Sequence, residues 1–498
     1  MEPIRAKIDI EKGIITKIEP IQKGLQINTE GENVFYPNSW AYPGFSDAHG
    51  HIAGLGISLH ILNFENTRSA EECAEMAVKK PSFRGDWIFG RGWNHELWRV
   101  KELPDLKLLD KYFPDTPCYF LRVDGHSAWI NSKAMKICGI DRFTRNPHGG
   151  SIMKDNNGNP TGILLDNAMN IAFNKIPKFT SEQLKKMILE SIRELKKNGL
   201  THVHDMDLDP GLIPVFKELD DSGLLKININ AFIKAQKDQW TKFLNEPYHG
   251  NKFHITGLKF YADGALGSRG ASLLEPYSDF PGNKGLLLID KRGFIDKATN
   301  GIEKGFHIAI HAIGDNANRL VVNVYEILRV RKIAEENDIL RIEHAQILNP
   351  VEIDKIAKYN MLCSIQPIHC ISDAKMARSR LGSRCVDAYL WKSLLYKRIK
   401  IAAGSDFPIE SHKPIAGIDA FINRIPTGEE TAWYPEEKLS VEEATDAYTI
   451  NPKEFLGYNK SDFGISVGKK AEITILDNKI TDDIGNLSDK IQVLETIC

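Results

Sequence analysis

Strand-like and helix-like runs alternate along most of this chain, and that alternation restricts its fold more than any other feature. Short runs rich in apolar residues recur near Trp40–Asp47, Leu200–His204, Ile227–Ile233, Ile255–Ala262, His307–Ala312, Leu340–His344, Met361–Gln366 and Ile401–Ser405. Helix-like segments such as Leu320–Arg331 and Val351–Lys358 separate most of them. One helix start is spelled out: Thr180 with Gln183 three residues on fits a capping box, Leu184, Met187, Ile188, Ile192 and Leu195 follow at helical spacing, and Asn198-Gly199 stops the run. Eight strand–helix units in order predict a parallel (β/α)8 barrel.

Two regions break the rhythm. Residues 1 to about 40 read as short strands turning at Gly13, and Val467–Asp477 has the same texture. The interval from His51 to Thr180 is far too long for a βα loop and is rich in aromatics, among them Trp87, Trp93, Trp98 and Trp129. The expected class is therefore α/β. A TIM-type barrel spans 44–463, and a small sheet domain is closed by both termini (1–43 and 464–498). An inserted α+β subdomain at 57–179 lies over the barrel mouth, and a second excursion covers Ala265 to Ile289.

Composition excludes several functions. A net charge of −2 over 498 residues gives no electrostatic case for nucleic acid or an acidic membrane surface. No apolar run is long enough to span a membrane, and the charged N-terminus has no signal core. The seven cysteines are scattered with no Cys-x-x-Cys pair, which suits a reducing, cytoplasmic setting. A homo-oligomer remains open.

The chemistry begins at Pro43-Gly44-Phe45-Ser46-Asp47-Ala48-His49-Gly50-His51. Residues i and i+2 of a strand point the same way, so His49 and His51 offer two imidazoles to one side. Active sites of these barrels gather at the carboxyl ends of the strands. There the fifth strand ends at His311, the sixth at His344 and the eighth at Asp406, while Lys259, Tyr261 and Asp263 share one face of the fourth. Four histidines and an aspartate at strand ends make a metal-binding pattern that the same residues scattered would not. His307 sits lower on its strand and reads as structural, and His202 and His204 read as packing or supporting residues.

Together with Lys259-Phe-Tyr-Ala-Asp-Gly-Ala-Leu-Gly-Ser-Arg269, His311-Ala-Ile-Gly-Asp315, Arg341-Ile-Glu-His344-Ala-Gln346, Gly404-Ser-Asp406 and Gly468-Lys-Lys-Ala471, these motifs resemble the amidohydrolase superfamily, most of all the branch of N-substituted formamide deformylase-like metal-dependent hydrolases. The resemblance covers nearly the whole chain and implies a distorted TIM barrel plus a β-sandwich domain built from both termini. It makes His49 and His51 ligands of the more buried of two divalent metals, zinc being favoured by the ligand types. It makes His311 and His344 ligands of the second metal, Lys259 a carboxylated bridge between the two, and Asp406 both ligand and proton shuttle. One metal instead of two stays open, as does an uncarboxylated Lys259. A metal lowers the pKa of bound water to about 7, so hydroxide could attack a carbonyl at neutral pH.

The implied activity is hydrolysis of a small-molecule amide. Cyclic amides, carbamates or esters on the same machinery, or a catalytically silent barrel used as a binding protein, are the alternatives. Trp93, His126 and Asn131 in the insertion, and Arg378 after the seventh strand, are the candidates for substrate contact. Arg380 and Arg384 stand beside Arg378, and a solvated basic loop is the rival reading for all three. Where the family pattern leads one to expect Glu after Pro160-Thr161-Gly162, this chain has Asp166.

Overall fold

The computed structural model describes residues 5–123, 125–482 and 486–498; Asp124, in the segment beside His126, lies outside them. The chain divides into two compact units, Met1–Ile52 with Leu189–Cys498, and Ala53–Ile188.

In the first unit, eight parallel strands run in the order Phe45–Gly50, Leu200–Leu208, Asn228–Lys234, Phe253–Tyr261, His307–Ala312, Leu340–His344, Leu362–Ile365 and Ile401–Ala403. Each neighbouring pair from first to last is parallel, as in the register Tyr261↔His311 and Ala312↔His344. The last strand returns to the first through a Gly50↔Phe407 bridge and the bonds Asp406 N–H to His49 O (2.6 Å) and His51 N–H to Phe407 O (2.9 Å). This is an α/β barrel of the TIM type. Along the strands buried apolar residues such as Ile308, Ile310 and Ile342 alternate with His311, Arg341 and Glu343, and Ile308 faces Gly301 in the helix Lys291–Glu303, as strands covered by helices require.

The expected opening strand Trp40–Asp47 is two strands. Trp40–Pro43 pairs with Ile473–Leu476 in a separate sheet, and the barrel strand starts at Phe45. Gly44 is the hinge: its N–H bonds Glu472 O at 2.7 Å, and a Cβ there would collide with the Thr201 side chain. No sequence period marks this change of partner. The three-stranded sheet shares one apolar cluster with a four-stranded N-terminal sheet, in which Ile8, Ile10, Ile15 and Ile27 meet Ala471, Ile473 and Ile475. In Ala6–Glu11 alternate residues face that cluster, the period of two that the sequence displays.

The second unit contains the expected insertion. Its mixed sheet runs Gly150–Lys154, Pro160–Asp166, Ser127–Ile130, Cys118–Arg122, Trp87–Trp93, Leu62–Asn63, with Phe83–Arg84 paired beside Trp87–Trp93. Both faces are covered. Phe120, Trp129 and Trp93 enter one core, and Tyr119, Ile130 and Phe89 enter the other.

The helix at Ser181–Lys197 starts where its capping box predicts, with the Gln183 N–H donating to Thr180 Oγ1 (3.3 Å) and the Thr180 N–H to Gln183 Oε1 (2.9 Å).

Candidate metal centre

The carboxyl ends of the first, sixth and eighth strands bring His49, His344 and Asp406 together, with one ligand atom of each within 4.8 Å of the others. His51 joins them, its Nε2 2.9 Å from Asp406 Oδ1. The His311 ring centroid lies 4.4 Å from that of His344. Lys259, from the fourth strand, is buried with its Nζ 5.0 Å from the centroid of the Tyr261 ring, itself 5.4 Å from the His311 ring. The Lys259 Nζ has no hydrogen-bond or ion-pair partner within range among the described residues, and the charges of Glu343 and Asp406 are its largest counterweights to burial.

Backbone detail aims these groups. His344 (φ 71°), Ala345 (φ 43°) and Asp406 (φ 59°) all adopt left-handed conformations, each costing about 1–3 kcal/mol for a residue with a side chain. Gly404 lets the eighth strand reach the first, since a Cβ there would lie 2.5 Å from the Cβ of His49.

The protonation pattern suits a cation. His49 Nδ1–H donates to Glu343 Oε2 (2.7 Å), and His51 Nδ1–H donates to the Met206 carbonyl (2.7 Å). In the neutral rings both Nε2 atoms are then bare lone pairs. They lie 3.6 and 2.9 Å from the same oxygen, Asp406 Oδ1. Lone pairs facing a carboxylate oxygen repel unless a proton or a metal lies between them. His311 Nε2 is likewise buried with no hydrogen-bond partner among the described residues. Burial and the Lys259 charge push His49 down to about 4 and His311 to about 3, and burial with the neighbouring imidazoles holds His344 well below its ordinary value. Burial would also lower His51, but the hydrogen bond and charge of Asp406 outweigh it. Burial would raise Asp406, yet His369 and His51 hold it well below the usual carboxylate range. Imidazoles around an ionised carboxylate, with His49, His311 and His344 held in the neutral form, are the donor set of a divalent metal, so these residues fit one.

A buried relay stands behind His49. Glu343 accepts from Arg341 Nε at 2.8 Å and Nη2 at 3.2 Å, and Arg341 also donates to His204 Nδ1 (2.9 Å) and Ala48 O (2.9 Å). His204 is thus a supporting residue, as its sequence reading allows. His202 lies two residues earlier on the same strand, its Nε2 3.5 Å from Glu472. His307 opens the fifth strand, and burial pushes it down to about 4. Asp263 accepts backbone N–H bonds from Ser272 (2.8 Å), Ile313 (3.0 Å) and Gly314 (2.8 Å), pinning the excursion after the fourth strand.

Sequence reasoning missed His369. It lies in the first turn of the helix Pro367–Leu381, which follows the seventh strand, with Nε2 3.6 Å from Asp406 Oδ2 and its ring 6.0 Å from His344. Despite burial, the carboxylates of Asp373 and Asp406 push it up to about 10. The available signal was position: it directly follows a barrel strand to which the sequence reading assigned no ligand.

The substrate candidates are placed differently from expectation. Trp93 has no exposed surface and its Nε1–H donates to Phe120 O (2.8 Å) inside the second unit's core. Asn131 is equally buried and caps the helix Ser132–Cys138. Both are built into a core, which corrects their reading as substrate contacts. His126 is exposed and pairs with Asp166 (2.8 Å), so the Asp that departs from the family pattern has a partner of its own. Arg378 is held by the Glu429 carboxylate and stacks on Trp433. Arg380 binds Asp279 and Gly267 O, and Arg384 binds the carbonyls of Glu275 and Pro276. All three arginines thus have partners within the chain, which differs both from a substrate contact by Arg378 and from a solvated basic loop.

A parallel barrel whose strand ends carry convergent imidazoles and a carboxylate defines the class of metal-dependent hydrolases. Residues 38–498 match the family model described as amidohydrolase family, and the chain belongs to that family. It is 30% identical over 479 residues to protein LONG AFTER FAR-RED 3 of Arabidopsis thaliana (92% of this chain, 80% of that one). It is also 30% identical over 458 residues to the putative amidohydrolase YtcJ of Bacillus subtilis strain 168 (90% and 85%). N-substituted formamide deformylase of Arthrobacter pascens is 23% identical over 472 residues (91% and 86%), in keeping with the branch the motifs resemble. Among solved structures, an uncharacterized metal-dependent hydrolase from Pyrococcus horikoshii OT3 superimposes with a TM-score of 0.78 at 25% identity, covering 97% of this chain and 100% of that one. No helix among the described residues is long and apolar enough to cross a membrane.

Proposed function

We propose that this hydrolase cleaves a carbon–nitrogen bond, an amide, in a neutral small molecule. The observation that carries the reading is the convergence of His49, His51 and His344 on the ionised carboxylate of Asp406. These residues, with His311, would hold one or two divalent ions, zinc by ligand preference. The metal, when bound, polarises the carbonyl and lowers the pKa of water.

Asp406 takes a proton from the attacking water on a carboxylate oxygen and delivers it to the leaving nitrogen, the two halves of general base and acid work. His369, beside Oδ2, keeps that carboxylate ionised between the two transfers. Glu343 fixes the His49 tautomer by accepting its Nδ1–H, so that Nε2 stays the ligand atom. Lys259 is the candidate for carboxylation. A buried ammonium with no partner is costly, and reaction of the amine with CO₂ replaces it with an anionic oxygen ligand.

A neutral substrate is favoured because Arg378, Arg380 and Arg384 are all engaged within the chain. A free carboxylate on the substrate would have none of them to pair with. An apolar or aromatic amine side and a small acyl group follow the formamide deformylase likeness. The test is kcat/KM of the metal-loaded protein for N-benzylformamide-like amides against N-acyl amino acids. The neutral amides should lead by about tenfold or more, the scale set by an unpaired charge at an apolar wall. Preference for the free acids would defeat the substrate reading, and no turnover of any amide, ester or carbamate would defeat the enzyme reading.

A further inference from the structure

The barrel has a second polar chamber at its opposite end. A cavity of about 440 Å³ lies where the amino ends of the second, third and fourth strands meet the strand region of the C-terminus. That volume is within the roughly 300–1,000 Å³ typical of small-molecule sites. His202, Asn230 and His254 reach it from the strands, and Lys453, Lys470 and Glu472 from the C-terminal part of the chain. None of these residues has a part in the metal centre.

The walls carry more positive charge than they neutralise. Lys453 is buried and its Nζ is paired with Glu472 Oε2 at 2.7 Å. Glu472 Oε1 is in turn reached by Asn228 Nδ2 (3.2 Å) and His202 Nε2 (3.5 Å), so this partly buried carboxylate is already engaged. Lys469 and Lys470 also line the cavity, opposed only by the exposed Asp462. Beyond the effect of burial, the charge of Lys470 depresses His202, His254 and Lys453 alike. With Lys453 matched by Glu472, Lys469 and Lys470 leave the wall net positive, which favours an anion.

Two polar atoms on the wall also lack partners. Asn230 is only 2% exposed, and its side-chain oxygen is buried without a hydrogen bond among the described residues; His254 Nδ1 is in the same state. Buried polar groups are rarely left this way without a ligand or water to serve them. An ordered guest with its own hydroxyl or protonated oxygen could satisfy both while its charge meets Lys469 and Lys470.

We propose that this floor cavity is a binding site for a small oxyanion, a phosphate or carboxylate compound, distinct from the metal centre. Bound there, the anion bridges the barrel floor and the C-terminal strand region, and so ties those two parts of the first unit together.

The test is calorimetric titration of the metal-loaded protein with inorganic phosphate and, separately, with citrate, each against chloride at matched ionic strength. Citrate and phosphate distinguish the carboxylate from the phosphate source. At least one should bind, and Lys470→Ala, a change at an exposed position, should weaken it at least tenfold while leaving amide hydrolysis intact. Lys469→Ala should weaken it as well, whereas Asp406→Asn at the barrel mouth should leave it unchanged. Equal affinity in parent and Lys470→Ala, binding lost in Asp406→Asn instead, or no binding beyond chloride would each overturn the proposal. None of these outcomes bears on the hydrolase reading.

Discussion

Buried polar side chains do opposite things in the two units. In the second unit Asn131 makes every bond it can. Its oxygen accepts from Cys118 N and Ala134 N (3.0 Å each), and its amide donates to Phe113 O (2.8 Å) and Thr116 O (2.9 Å). At the barrel mouth His311 keeps a buried ring nitrogen with no hydrogen-bond partner among the described residues, and the Nε2 atoms of His49 and His51 both face one oxygen of Asp406. Both sets are polar and hidden from bulk water, but a fully satisfied group stabilises a fold, whereas a group left unsatisfied at a cluster of like groups is poised for a ligand.

The strongest test of that contrast is Asp406→Asn. Turnover should fall by about 10²–10⁴, the usual share of a general acid–base group, while the melting curve stays near that of the parent. Near-normal turnover would remove Asp406 from the chemistry. Lys259→Ala should lose about one metal equivalent by elemental analysis and most activity, with partial rescue by short carboxylic acids; unchanged metal content would rule out the bridge.

Glu343→Gln tests the support behind His49. Metal affinity, measured by chelator competition, should drop about 10- to 100-fold, as for other residues that orient a metal-binding imidazole. Asn131→Ala should act on the other side of the comparison. It orphans backbone groups at Cys118, Phe113 and Thr116, so urea unfolding should register about 1–3 kcal/mol of lost stability, with metal content per folded molecule unaltered. A loss of kcat in the fully folded variant would mean that Asn131 has a role beyond capping. The smallest effect belongs to His126→Ala, an exposed residue, with stability within about 0.5 kcal/mol of the parent by the same measurement. A large rise in KM there would restore it as a substrate contact.

Much of the barrel could be read from the chain alone, because its signals are local. A strand of alternating or continuous apolar residues followed by a capped helix declares itself within a short window, and order along the chain then places His49, His311, His344 and Asp406 at strand ends. The capping box at Thr180 is of the same kind, its two partners only three residues apart. The sandwich was legible in outline, since both termini carry strand texture.

What remained hidden depends on partners far away in sequence. The switch of sheets at Gly44 is enforced by Thr201 and Glu472. Arg378 looks like a free cation until the fold brings Glu429 to it, and Trp93 and Asn131 look available until two cores close around them. The relay from His204 through Arg341 and Glu343 to His49 joins three strands of the barrel, and no pattern within any one of them encodes it. Sequence by itself determined which residues could bind a metal, because side-chain chemistry and strand position are local properties. Only the tertiary structure decided which polar groups were left without partners, because a hydrogen bond is a property of two groups that folding alone brings within 3 Å.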